Sequence, residues 1–496
     1  MAFVRCWTTL FNACLSSGKI PEAWRECTMV VIPKGKGDPT EPKYWRGIAK
    51  KFCTYKLLSS ILTRRLTAFL ERRNALPEEQ HGFRCGKSTM SACAILLDDI
   101  GRTLRSARRH LFAVFVDFKA AFDSGSRCIV LSKLSQHGVT QNILGLLKDI
   151  LQKNQVSIDD GVAERNGIEQ TTGFAPGDNL SPLFFAVLVN DLPSHIKQRH
   201  PHVKVIMYAD DLGMYSPSRF HLQQALITLH NYVATVGLQI NKTKTEAMKF
   251  RRGGRLAGSD SFRLDGQSLK LVNSFTYLGL TLTTTGKSFS AHIGERARKA
   301  IVAAAMIESP QKLAVATAVS LFDLKIAPTA SYGIQIVWEK LIVRDLTTLD
   351  RVKPAFLKMV LGLHTTSRNR LVYLLTDTPS FVEDIREKFN LPVTPAYCTF
   401  VEKQRSKRQE IDPQFITTPA MTDSSWKRTN RTNRHLVTRF AVHGFHHLTC
   451  MTQGYHEPEQ TCVCKYCRNV CDRYHVENCN QIRSLTQLTE LNVLSS

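Results

Sequence analysis

Two adjacent carboxylates, Asp210 and Asp211, end an apolar, β-branched run, Val203-Lys204-Val205-Ile206-Met207-Tyr208-Ala209, and a second short apolar run leaves them. Neighbouring carboxylates repel each other, so such a pair is stable when solvated or when a divalent cation lies between them. A third carboxylate, Asp117, closes a separate apolar run, Leu111-Phe112-Ala113-Val114-Phe115-Val116. Brought together, the three would suit two Mg²⁺ ions, or Mn²⁺ in their place. Ions held about 3.5–4 Å apart can activate a 3′-hydroxyl and stabilise a departing pyrophosphate.

That chemistry needs particular elements beneath it. The run into Asp210 and the run out of Asp211 predict a β-hairpin with both carboxylates at its tip. Six apolar residues ending on Asp117 predict a buried strand of a sheet. An isolated Asp-Asp is more often a solvated turn. The second strand-end carboxylate, able to meet the first on one sheet, favours the metal site.

The bulk composition agrees with a polyanionic partner. Lys and Arg number 66 against 42 Asp and Glu, a net charge of +24, and an excess of that size suits nucleic acid. A hydrophobic fraction of 43% fits a globular chain, and 496 residues allow several domains. No apolar run approaches the roughly 20 residues needed to cross a bilayer, and the N-terminus lacks the order of a signal peptide. Of 14 cysteines, five crowd between Cys462 and Cys479. That pattern predicts an intracellular protein with reduced thiols and one metal site.

Phe115-Val116-Asp117-Phe118-Lys119-Ala120-Ala121-Phe122-Asp123 followed by Tyr208-Ala209-Asp210-Asp211 resembles motifs A and C of reverse transcriptases, and more narrowly those of non-LTR (LINE-type) retrotransposons. Other blocks follow in that family's order. Gly18 to Lys34 resembles the entry to the fingers. Tyr44-Trp45-Arg46-Gly47-Ile48 resembles a Trp-Arg-Pro-Ile signature, with Gly47 in the place of proline. Gln80 to Thr89 resembles a Gln-x-Gly-Phe-Arg-x-Gly-x-Ser-Thr block. Its Gly-Lys-Ser-Thr ending is not a phosphate-binding loop, because His81 stands where that loop needs its first glycine.

Gly173 to Phe185 resembles motif B, with Pro176 where the family has glutamine and Asn179 where it has proline. Its residues predict a flexible loop leading into Ser181 as N-cap, with Pro182 at the first helical position. Gly237 to Glu246 resembles motif D, where Lys242 and Lys244 are both candidates to donate a proton to pyrophosphate. Phe275-Thr276-Tyr277-Leu278-Gly279-Leu280 resembles the primer-gripping hairpin.

In the tail, Cys464-x₂-Cys467-x₇-His475-x₃-Cys479 has the ligand types and spacing of a closed tetrahedral Zn²⁺ site. Cys462 and Cys471 are alternative ligands. Arg439 to Gly444 resembles the approach to the zinc knuckle of LINE-type proteins.

The resemblance implies an α/β (α+β) right-hand polymerase fold. Fingers would span 1–105, a palm with an antiparallel sheet 106–285, and a helical thumb 286–375. A basic linker, 376–440, and a zinc-knuckle tail, 441–496, would follow. It also implies an RNA-directed DNA polymerase with an RNA template, a DNA primer or target strand, and dNTPs. Asp117, Asp210 and Asp211 would hold Mg²⁺, and Arg46 and Arg84 the triphosphate. Phe122 would exclude a ribose 2′-hydroxyl, and Gly177 and Ser181 would pass beneath the nucleotide. The structural Zn²⁺ would sit in the tail, and the site of action would be nuclear.

Nothing in the chain resembles the endonuclease such elements need, so a piece of a larger polyprotein or a truncated copy is expected. Pro176 motivates an alternative, a catalytically impaired nucleic-acid-binding remnant.

Overall fold

The computed structural model describes residues 2–409 except 36–37, 39, 42–43, 107–108, 153, 160–163, 254–259, 364, 366 and 368. Cys462, Cys464, Cys467, Cys471, His475 and Cys479 of the expected zinc site, and the basic stretch around Trp426, lie outside the described residues. The chain divides into two compact units, Met1–Gly286 and Lys287–Ser496.

The first unit opens with α1 (Ala2–Ser17), which buries Phe11 and Cys14 and stops before Gly18. Strands β1 (Glu26–Pro33) and β2 (Trp45–Lys50) pair antiparallel, with Ile32 opposite Arg46. Helix α2 (Cys53–Arg72) buries Leu58, Leu62, Leu66 and Leu70 at four-residue intervals, and Arg64 and Arg65 face solvent. Helix α3 (Thr89–Thr103) begins at a reciprocal cap between Ser88 and Ser91.

Then come β3 (Leu111–Val116), α4 (Ala121–Ser124), α5 (Arg127–Gln136), α6 (Gln141–Leu151), β4 (Asn154–Asp159) and β5 (Glu164–Gln170). They are followed by α7 (Ser181–Leu188), α8 (Leu192–Arg199), β6 (Lys204–Tyr208), β7 (Asp211–Ser216), α9 (Arg219–Thr235) and β8 (Glu246–Phe250). Five short strands end the unit: β9 (Arg263–Leu264), β10 (Gln267–Ser268), β11 (Lys270–Val272), β12 (Ser274–Tyr277) and β13 (Leu280–Thr283).

The sheet that matters for the aspartates has the order β11-β8-β3-β7-β6. All six residues of β3 are buried, as its unbroken apolar run requires. It pairs antiparallel with both β7 and β8. The expected antiparallel sheet needs one correction, because the edge strand β11 runs parallel to β8.

Alternate residues of β3 serve opposite faces. Phe112, Val114 and Val116 join the main core with α7 and α9. On the other face, Phe115 stacks on Phe275, with ring centroids 4.3 Å apart, and lies 5.0 Å from Tyr277, which fastens the β12–β13 hairpin to the sheet. Helix α7, apolar but for Ser181, buries every residue except Pro182.

A second sheet has the order β2-β1-β4-β5, with β4 parallel to β1. The stretches 1–105 and 106–285, expected as separate domains, therefore share a sheet within one compact unit. The hairpin β4–β5 crosses that boundary.

The second unit is helical in its described part. It contains α10 (Ser290–Ala305), α11 (Val315–Leu321), α12 (Ala327–Ala330), α13 (Ile334–Val337), α14 (Val343–Asp350), α15 (Val352–Leu361), α16 (Asn369–Thr376), α17 (Phe381–Lys388) and α18 (Pro395–Gln409). Phe322, Phe356 and Phe381 meet in its core. Helices α17 and α18 occupy residues expected as linker, because Phe381, Val382, Ile385 and Phe400 give them apolar faces to bury. Lys353 and Lys358 of α15 are buried. Lys353 pairs with Asp384 at 2.5 Å, and Lys358 donates to the Thr365 carbonyl and to Asn369, each at 2.8 Å. Among the described residues no helix is long and apolar enough to cross a membrane.

Removing the Phe115 ring would open a cavity between the sheet and the β12–β13 hairpin. Phe115→Ala is expected to cost about 3–5 kcal/mol, read as a lowered urea midpoint. A cost under about 1 kcal/mol would show that this ring does not hold the hairpin.

Candidate active site

Strand register brings the three aspartates together. Val116 pairs with Leu212, so the next step along β3 sets Asp117 beside Asp211. Tyr208 pairs with Asp211, which leaves Ala209 and Asp210 as the two-residue turn of the β6–β7 hairpin. The backbone at Asp117 is fixed from the other side. Its carbonyl accepts the Asn241 N–H at 2.7 Å, and its N–H donates to Thr245 Oγ1 at 3.3 Å.

The three carboxylates sense one another. Burial, then Asp210 and Asp117, push Asp211 up to about 6. Asp210 is also raised, chiefly by burial and further by Asp117, while the Arg46 charge opposes the shift. Above its ordinary range a buried carboxylate is an anion held at a cost, and a cation relieves that cost. Among the described residues, no three His, Cys, Asp or Glu form a ready-made metal cage. Mg²⁺ does not need one, since it commonly takes one or two carboxylates and completes its shell with water and substrate phosphate oxygens. The donor set therefore fits a hard divalent ion.

Arg46 is exposed on β2 and lies close enough to Asp210 to influence it. Arg84, expected at the triphosphate, is committed elsewhere. Its side chain is 6% exposed, and the guanidinium grips Glu71 through two nitrogens, at 2.7 and 2.5 Å, while its remaining nitrogen donates to the carbonyls of Pro77 and Gln80. A fork whose donors are taken up by protein oxygens is a clamp between α2 and the following loop.

The motif B-like loop leans on β2. The Pro176 carbonyl accepts the Ala49 N–H at 2.7 Å. Gly177 adopts φ +95°, which favours glycine. Ser181 is not the N-cap. It is the first residue of α7, and its hydroxyl donates to the Ala175 carbonyl at 2.8 Å, closing the loop on itself.

The anchor of this loop escaped the sequence reading. Asp178 is buried. It accepts the Leu180 N–H at 3.1 Å, the Lys51 ammonium at 2.9 Å and the Tyr55 hydroxyl at 2.6 Å. Lys51 and Tyr55 lie more than a hundred residues away in sequence, and no local pattern pairs them with Asp178. Asn179, the other departure from the family pattern, donates to the Lys56 carbonyl at 2.9 Å.

Phe122 sits on α4, half-buried, with its ring centroid 5.3 Å from Phe185. Packing and a sugar-facing role are compatible there. Lys242 pairs with Asp265 at 2.5 Å, whereas Lys244 is exposed.

Comparison with known proteins adds identity to this geometry. Residues 32–282, just over half of the chain, match the family model described as "Reverse transcriptase (RNA-dependent DNA polymerase)". Among similar proteins, a 115 kDa protein in the type-1 retrotransposable element R1DM of Drosophila melanogaster is 29% identical over 58% of this chain and 27% of its own length. The Pol polyprotein from the retrotransposable element R2 of Popillia japonica is 24% identical over 72% of this chain and 51% of its own. The RNA-directed DNA polymerase from the mobile element jockey of Drosophila melanogaster is 23% identical over 66% of this chain and 37% of its own. The chain thus spans between about a quarter and a half of the length of these curated relatives. A solved structure of apo telomerase from Candida tropicalis aligns with a TM-score of 0.41 at 11% identity, over 77% of this chain and 68% of that one.

Two measurements test the geometry. Asp178→Ala would leave the Lys51 ammonium buried without its carboxylate, and about 3–5 kcal/mol of stability should go. A midpoint unchanged in urea would refute the anchor. The second concerns pH. A carboxyl whose value is raised to about 6 keeps its proton below that pH, so a cation must displace it. Affinity for Mn²⁺ should fall by about tenfold per pH unit below 6 and level off above it. Affinity unchanged between pH 5 and 7 would separate Asp211 from the cation site.

Proposed function

This chain belongs to the reverse transcriptase (RNA-dependent DNA polymerase) family, with relatives among non-LTR retrotransposon enzymes, and from that premise we propose that it copies element RNA into DNA. In this reaction a DNA 3′-hydroxyl attacks the α-phosphate of a dNTP and pyrophosphate leaves. The observation that carries the reading is the meeting of Asp117 with Asp210 and Asp211 at the end of one sheet.

A divalent metal cofactor goes with the family. Our reading is that it is Mg²⁺, or Mn²⁺ in its place, held by Asp117, Asp210 and Asp211. When bound it supplies charge that stabilises phosphoryl oxygens and lowers the pKa of a hydroxyl. The residues of the chain do the rest. Arg46, exposed and near enough for its charge to bear on Asp210, offers a planar fork for triphosphate oxygens. Gly177 lets the backbone of its loop run close beneath a nucleotide, and Ser181 holds that loop closed. Phe122, packed on Phe185, is the residue we assign to exclude a ribose 2′-hydroxyl. Lys242, which pairs with Asp265, and Lys244, which is exposed, are both candidates to give a proton to pyrophosphate.

The template in this reading is the element's RNA, and the primer is a nicked chromosomal strand, so the site of action is nuclear. Cys464, Cys467, His475 and Cys479, with Cys462 and Cys471 as alternative ligands, would hold a structural Zn²⁺ by their chemistry and spacing.

Primer extension tests the proposal directly. The chain should extend oligo(dT) on poly(rA) with dTTP and Mg²⁺, and Asp210→Ala/Asp211→Ala should abolish extension. A chain that binds the hybrid and extends nothing would instead be the binding remnant that Pro176 brings to mind.

A further inference from the structure

Gln80 lies in the loop between α2 and α3, far from the aspartates in sequence. Its backbone runs beside Met207 of β6 in a parallel bridge. The Met207 N–H donates to the Glu79 carbonyl at 2.9 Å, and the His81 N–H donates to the Met207 carbonyl at 2.7 Å. That pairing delivers the Gln80 side chain, 1% exposed, to the hairpin turn.

One amide then holds both polar backbone groups of Ala209. Gln80 Oε1 accepts the Ala209 N–H at 2.8 Å and the Gly82 N–H at 2.8 Å, and its Nε2 donates to the Ala209 carbonyl at 3.5 Å. Two N–H groups converging on one atom fix which end of the amide is oxygen. Ala209 has φ +54°, a left-handed conformation that L side chains avoid. Gly82 meets the same turn from outside, and a Cβ there would fall 2.3 Å from the Ala209 nitrogen. A strained residue, a buried amide dedicated to it and a glycine that permits the approach converge on one turn. Strain of this kind persists only where surrounding structure over-determines it.

We propose that Gln80 is a positioning residue for the reaction. Its amide holds Ala209 in the left-handed conformation that sets Asp210 and Asp211 where divalent ions and substrate meet them. Glutamine suits the task because it supplies acceptor and donor on one neutral plane. A glutamate would add a fourth carboxyl beside three, and an asparagine is one carbon short. The proposal rests on the polymerase reading for its activity arm alone.

The test uses the full chain in five forms: wild type, Gln80→Leu, Gln80→Met, Ala209→Gly, and Gln80→Leu with Ala209→Gly. Mn²⁺ binding is titrated by electron paramagnetic resonance, with Asp210→Ala/Asp211→Ala defining the site. Hybrid binding and single-turnover extension are measured beside it. Both Gln80 variants should bind the hybrid within about twofold of wild type. They should bind Mn²⁺ about tenfold more weakly and extend about 100-fold more slowly, the scale of a small misplacement of reacting groups. Glycine accepts positive φ without the Cβ penalty, so Ala209→Gly should return about tenfold of the rate lost in Gln80→Leu.

Wild-type Mn²⁺ affinity in the Gln80 variants would overturn the proposal. So would a rate loss that Ala209→Gly does not relieve, because the amide would then act other than through the turn. Should Gln80→Leu fail to fold, Gln80→Met, unbranched and of matching length, carries the comparison. If wild type itself extends nothing, the polymerase reading fails while the Mn²⁺ arm still decides the role of Gln80.

Discussion

Three carboxylates held close in a half-buried setting repel one another, and the surrounding structure exists to prevent their escape. Burial and mutual charge raise Asp211 and Asp210. A loop could relax that repulsion by swinging one side chain away. A ladder cannot, because moving Asp117 from Asp211 would break the register of β3 against β7. The apolar residues of β3 resist such a slip, since a one-residue shift would turn Phe115 toward the helices and Val114 toward the hairpin.

The same logic reaches outward from the sheet. The β6–β7 turn is supported by the Gln80 loop, and the motif B-like loop by β2 and α2. In each case a buried polar side chain bridges segments distant in sequence. Asp178 does so with charge and Gln80 without it. Arg84 completes the set by tying the Gln80 loop back to Glu71 of α2.

Much of this was legible in the residues. The period of the apolar runs marked β3, β6 and β7, and the aspartates at their ends marked the chemistry. What stayed hidden were pairings that depend on distance in the chain. A guanidinium such as Arg84 looks the same whether it meets a triphosphate or Glu71. Ser181 reads as an N-cap because serine before proline usually is one, yet the helix already includes it, and its hydroxyl donates to the Ala175 carbonyl where a cap would accept a backbone N–H. Sequence likewise cannot reveal that Asp384 and Asn369 wait inside the fold for the lysines of α15. The fingers and palm divided neatly on paper because β4 and β5 were not recognised as strands of the other sheet.

That last feature bears on how the chain is made. β1 ends at residue 33, but its parallel neighbour β4 begins at residue 154. At about 5–20 residues per second a ribosome takes on the order of ten seconds to cover that interval. Through it, an edge of β1 carries unpaired amides and carbonyls that a second nascent chain could capture. The sheet that carries Arg46 therefore cannot close until β4 has been made, and that interval is a window for chaperones.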